Sequence, residues 1–133
     1  MPKRANYTQV RVYHTAKKLL LITTVLTKNF PREYRFSVGQ DLYRSIIDFI
    51  IMIYDTYTTS NFKLQYDAVS KLKRQVQYIN IYLRLSSSLH LFSKERYIEL
   101  TQMTADCDNQ LTCWQLSIKR KIKEYSNEPT QTC

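Results

Sequence analysis

A single glycine in 133 residues, with three prolines beside it, leaves this chain almost no tight-turn chemistry. Phosphate-cradling loops and dinucleotide fingerprints need several glycines at fixed spacing, because the backbone must bend sharply and approach a pyrophosphate closely. Neither can be built here. Two-residue hairpins also lean on glycine for positive φ, which disfavours a many-stranded sandwich or barrel. Helices joined by few loops are what remains, and at this length about two-thirds of the unfolded chain's surface can be buried without a metal or disulfide staple. The glycine itself, Gly39, stands at the start of an apolar stretch. It predicts a close approach by a neighbouring helix, where a side chain would not fit.

Apolar spacing predicts four helices, over about 7–28, 37–58, 63–88 and 93–125. In the first, Val12, Ala16, Leu19, Thr23 and Leu26 recur every three or four residues, and Asn29, which tolerates a left-handed cap, ends it ahead of Pro31. A basic connector, 32–36, leads to Ser37, whose spacing to Gln40 predicts a capping box. The second helix, Leu42 to Tyr54, is apolar nearly all round and is expected to be buried on more than one side. In the third, Val69, Leu72, Val76, Ile79 and Leu83 form the core stripe. Ser93 is the expected N-cap of the fourth, which carries Leu100, Thr104, Cys107, Leu111, Trp114 and Ile118 inward. Short connections between long helices place neighbours antiparallel, giving an all-α, up-down-up-down four-helix bundle over 1–125 with a mobile polar tail at 126–133.

Charge is the second constraint. Twenty Lys and Arg against eleven Asp and Glu give +9 at neutral pH, and the excess is patterned. Residues 1–44 carry nine basic and two acidic groups, and 71–84 carry four basic and none acidic. A surface of this kind suits an anionic partner, either nucleic acid or an acidic protein surface. Arg4, Arg11 and Lys18, seven apart, fall on one face of the first helix, opposite its core stripe. Lys73 and Arg84 share a face of the third, with Arg74 beside them. Lys119, Arg120 and Lys123 close the fourth, where either the negative pole of the helix dipole or a ligand accounts for them. In an antiparallel bundle the start of the first helix, the start of the third and the end of the fourth share one end. Past Lys18 the same face of the first helix turns apolar at Leu21, Ile22 and Val25, which fits either a wider core or a subunit contact.

Catalytic and metal-binding patterns are missing. His14 and His90 have no ligand spacing, and Cys107, Cys113 and Cys133 form no CxxC pair. Asp48 lies within the apolar run and is expected to pair with a basic group such as Arg44. Most of the eleven tyrosines, Tyr13, Tyr43, Tyr66, Tyr97 and Tyr125 among them, fall on core stripes, and Tyr7 and Tyr34 are the better candidates for contact. No run approaches the ~20 apolar residues that span a bilayer. The odd cysteine count and the Met-Pro-Lys-Arg opening, unlike an export signal, suggest a reducing cytoplasm. No enzyme, metal or cofactor is expected.

Two segments resemble a known family. Phe30-Pro31-Arg32-Glu33-Tyr34-Arg35-Phe36-Ser37-Val38-Gly39-Gln40-Asp41-Leu42 is similar to the inter-helix signature of bacterial four-helix-bundle proteins. These are the accessory variability determinant (Avd) proteins of diversity-generating retroelements and the intervening-sequence proteins encoded within some large-subunit rRNA genes. Leu83 to Tyr97, through Ser86-Ser87-Ser88-Leu89-His90-Leu91-Phe92-Ser93, is similar to that family's junction between its third and fourth helices, and Leu111 with Trp114 matches its last helix. The basic excess and the Tyr- and Ile-rich second helix look more like the Avd branch. That likeness implies a homopentameric, barrel-shaped assembly that binds a reverse transcriptase and its template RNA or cDNA and supports mutagenic reverse transcription in a bacterial or phage-infected cytoplasm. It implies no catalytic residues. The basic surface would fall on Arg4, Arg11, Lys18, Lys73, Arg74 and Arg84, with Lys119, Arg120 and Lys123 at the shared end, and Leu21, Ile22 and Val25 would meet a neighbouring subunit. The alternative is an oligomeric interaction protein of the intervening-sequence type, without a retroelement role.

Overall fold

A computed structural model describes residues 10–125. These form α1 (Arg11–Lys28), the single turn α2 (Arg32–Arg35), α3 (Val38–Tyr57), α4 (Phe62–Ser88) and α5 (Lys94–Tyr125), with no strand among the described residues. The four long helices match the sequence expectation to within a residue or two, apart from the start of the first. Its residues 7–9, Arg4 and Tyr7, and the tail at 126–133 lie outside the described residues. The connector is partly helical, because Pro31 with its fixed φ near −52° can open a helical turn.

Packing follows the stripes. Val12, Ala16 and Leu19 of α1, Leu42, Ile46, Phe49 and Ile53 of α3, Val69 to Leu83 of α4, and Leu100, Cys107, Leu111 and Ile118 of α5 make one core. Helix α1 packs on α3 and α5, and α4 also packs on α3 and α5, so each long helix has two neighbours around that core. Side-chain rungs tie the seams: Gln75 Nε2 donates to the Ser45 carbonyl at 2.8 Å, and Gln65 Nε2 to that of Thr56 at 3.2 Å. Between α4 and α5, Gln115 reaches Tyr66 and Ser70, Lys73 reaches Thr112, and Thr104 reaches Asn80. Residue numbers thus rise along α4 as they fall along α5.

The ends use different chemistry from that expected. Ser37 makes no capping box; its hydroxyl donates to the Glu33 carbonyl at 2.8 Å, because α2 just ahead leaves orphan acceptors within reach. Asn29 caps α1 at φ −93°, outside the left-handed region. The residue that does adopt it is His90, at φ 58°. Its N–H donates to the Ser87 carbonyl at 2.9 Å, and that of Leu91 to Ser86 at 3.0 Å, which is the Schellman closure of α4 with histidine where glycine is usual. Ser93 caps α5 as expected, its Oγ accepting from the Arg96 N–H at 3.1 Å. Asn61 does the same for α4 through Leu64.

Helix α3 buries one side rather than several: Ile51 and Tyr54 are about half exposed, and Tyr43 also faces outward. Its contacts with α1 and α4 lie on that one side, and the outward apolar residues stay uncovered among the described residues. Tyr125 is likewise exposed, not core, with its ring 5.5 Å from that of Phe62.

Candidate nucleic-acid interface

The described sequence-derived basic residues fall mainly in two environments. At the first, Arg11 is exposed at the start of α1 and stands beside Cys113, Trp114 and Ser117 of α5. The α5 chain continues from there to Lys119, exposed, and to Arg120 and Lys123, half-buried. Lys18, two turns along the same side of α1, is exposed as well. The rung from Gln110 Nε2 to Thr15 Oγ1, 3.0 Å long, fixes this register between α1 and α5. Arg11, Lys18, Lys119 and Arg120 enter no ion pair among the described residues. Lys121, in the same stretch, rests 5.8 Å from the Phe62 ring centroid, a cation–π contact that ties the end of α5 to the start of α4.

The second environment is the seam between α4 and α5. Lys73 and Arg84 do share a helix face, and that face borders α5; Lys73 is half-buried there, while Arg84 is exposed. Lys73 Nζ donates to Thr112 Oγ1 at 2.7 Å and stands 3.9 Å from Asp108 Oδ1, so its charge is already engaged. Arg84 lies near the opposite end of the same seam, beside Tyr97. Arg74, one residue past Lys73, points away and is exposed. Arg4 lies outside the described residues.

The three apolar residues of α1 also separate. Leu21 and Val25 are 57% and 60% exposed, while Ile22 packs against the core. Ile22 is therefore an intramolecular contact; one position along a helix turns a side chain by 100°, enough to carry it from the outer face into the α1–α5 seam. Asp48 and Arg44 are both exposed and make no ion pair with each other among the described residues. Tyr34 is half-buried, so it offers less surface than expected.

Cys107 is buried and its thiol is pushed up to about 12, first by burial and then by the carboxylates of Asp106 and Asp108. Such a thiol is a small apolar core group, not a nucleophile. Cys113 is exposed. Among the described residues no three His, Cys, Asp or Glu side chains gather as a metal site, and no helix is long and apolar enough to cross a membrane.

Sequence reading missed a polar groove of about 380 Å³ along the α4–α5 seam, lined by Gln77, Asn80, Arg84, Tyr97, Thr104 and Asn109 among others. Its signal was available: polar residues at 77, 80 and 84 fall on one face of α4, facing 101, 104 and 108 of α5. No protein-family model matches this chain, and no curated protein matches it.

Proposed function

We propose that this chain is a non-enzymatic accessory protein that binds nucleic acid through the basic surface of α1 and the end of α5. The observation that carries this reading is the set Arg11, Lys18, Lys119 and Arg120, cations with no ion pair among the described residues on neighbouring helices. Unpaired cations can neutralise phosphates directly, and this releases the counterions condensed on the nucleic acid, a large source of its affinity. Arg74 extends the surface on α4; Lys73, held by Thr112 and Asp108, belongs to the seam. In this reading the chain is an up-down-up-down bundle that assembles as a homopentamer and works in the cytoplasm beside a reverse transcriptase and its template RNA or cDNA, as Avd proteins do. Leu21 and Val25 supply the subunit contact, and the outward Tyr43, Ile51 and Tyr54 of α3 add further uncovered apolar surface.

A second reading, the intervening-sequence type of interaction protein, draws on the outer face of α4. There Tyr78, Ile81, Leu85 and Leu89 recur at helical spacing and are 42–54% exposed, a stripe suited to a protein partner. A pull-down with the reverse transcriptase and its template RNA separates the two. Capture of both by the wild-type chain, with loss of RNA in Arg11→Glu/Lys18→Glu, supports the accessory role. Capture of neither overturns it. A reverse transcriptase gene and a template/variable repeat pair beside this gene would add independent support.

A further inference from the structure

The groove between α4 and α5 has an order along its length. At one end stand the carboxamides of Gln77 and Asn109, both exposed, neither with a hydrogen-bond partner among the described residues. In the middle, the Thr104 hydroxyl lies 2.6 Å from Asn80 Oδ1 and 2.9 Å from the Thr101 carbonyl. One hydroxyl carries one hydrogen, so it donates to only one of these oxygens. Donation to Asn80 leaves Asn80 Nδ2 without a protein partner; donation to Thr101 makes Asn80 the donor and leaves its carbonyl oxygen without one. Either way one end of that half-buried amide is open to the groove. At the far end lie Arg84, which enters no ion pair among the described residues, and Tyr97, whose ring is stacked on Phe92 at 6.4 Å. Val76, beside Gln77, and Ala105, between the two ends, supply the apolar lining.

We propose that this groove binds one nucleotide unit, with its base paired by the amides of Gln77 and Asn109, its sugar against Asn80 and Thr104, and its phosphate on Arg84. Carboxamides pair with the adjacent donor and acceptor on a base edge, and adenine's N6–H₂ and N7 are the best matched to them. A guanidinium supplies the planar donor fork that phosphate oxygens take. Gln77 and Arg84 are seven residues apart on α4, about 10 Å at 1.5 Å per residue, which separates the base end from the phosphate end. The volume lies in the range of small-molecule sites, roughly 300–1,000 Å³. Asp108 also lines the groove, and the Lys73 ammonium 3.9 Å away offsets its repulsion of an anion. The groove deepens the nucleic-acid reading and rests on it for a nucleotide held within a chain; a free nucleotide would fill the same contacts.

The test is a titration of the full ¹⁵N-labelled chain with AMP, with a short single-stranded RNA and with inorganic phosphate, following the side-chain NH₂ signals of Gln77, Asn80 and Asn109. AMP or RNA moving all three, with phosphate moving the Arg84 guanidinium signal and not the amides, is the expected result. A response to RNA identifies a chain nucleotide as the source, and a response to AMP alone identifies a free one. Gln77→Ala and Asn109→Ala, at exposed positions, should each weaken that binding about tenfold while leaving the thermal midpoint in place. Silence of the amides under both AMP and RNA overturns the groove as a site. If RNA binds through Arg11 and Lys18 while the amides stay silent, the groove falls and the nucleic-acid reading stands.

Discussion

Gly39 and Phe30 meet so closely that a Cβ on the glycine would stand 3.0 Å from Phe30 Cδ2, and equally close to the Tyr34 carbonyl oxygen. Phe30 is fully buried, so its ring has little room to retreat. No glycine here has positive φ, which makes space, not backbone freedom, the reason for this residue. Gly39→Ala gains at most about 1 kcal/mol of helix propensity. Overpacking in a buried contact costs about 1–3 kcal/mol. Net destabilisation is expected in a urea titration; a raised midpoint would mean that Phe30 and α2 yield without strain.

His90 should respond in the opposite sense. An L-residue in the left-handed region is strained by about 1–2 kcal/mol, though histidine visits it more readily than most. His90→Gly keeps the two Schellman bonds to Ser87 and Ser86 and removes the Cβ conflict. Stability should rise by up to about 1 kcal/mol, read as a higher thermal midpoint. A fall would show that the imidazole makes a contact worth more than the strain.

Most of the bundle was legible because helical spacing and burial are the same physical fact seen twice. Val12, Ala16, Leu19 and Thr23 were marked by spacing, and all four are buried. Past Lys18 a wider core and a subunit contact both fit the spacing, and Ile22 takes the first, because a face that turns from cationic to apolar does not say which side of the seam the next residue takes. Lys73 and Arg84 share one face, yet spacing cannot tell that Thr112 and Asp108 of α5 hold Lys73 while Arg84 stays exposed. The groove escaped because a carboxamide has no signature of its own; Gln77, Asn80 and Asn109 matter only once α4 and α5 lie side by side. Ser37 followed a capping pattern, and the unforeseen turn α2 took its hydroxyl.

The two described cysteines should differ in reactivity. With its thiol raised to about 12, Cys107 stays protonated at any ordinary pH and is also sealed in the core. Iodoacetamide under native conditions at pH 8, followed by peptide mass mapping, should modify Cys113 and leave Cys107 untouched. Unfolding in denaturant should make both react. Native labelling of Cys107 would mean that the core opens locally.

Leu21 and Val25 test the assembly. Both are more than half exposed on α1, so Leu21→Asp/Val25→Asp leaves the core stripe intact. Sedimentation at micromolar concentration should show an oligomer for the wild type and a smaller species for the variant. A strictly monomeric wild type would remove the pentamer and most of the likeness to Avd proteins. Ile22→Ala should instead lower stability, since Ile22 packs inward.

The most direct test of the basic surface is the salt dependence of single-stranded RNA binding. Each phosphate neutralised on a single strand contributes about −0.7 to the slope of log affinity against log salt. Engagement of Arg11, Lys18, Lys119 and Arg120 therefore predicts a slope of about −3 for the wild type. Lys18→Glu should make it shallower by at least one phosphate's share, and Lys73→Met, at a charge already held by Thr112 and Asp108, should leave it nearly unchanged. A flat slope for the wild type, or a slope that Lys73→Met reduces while Lys18→Glu does not, would contradict the assignment of this surface.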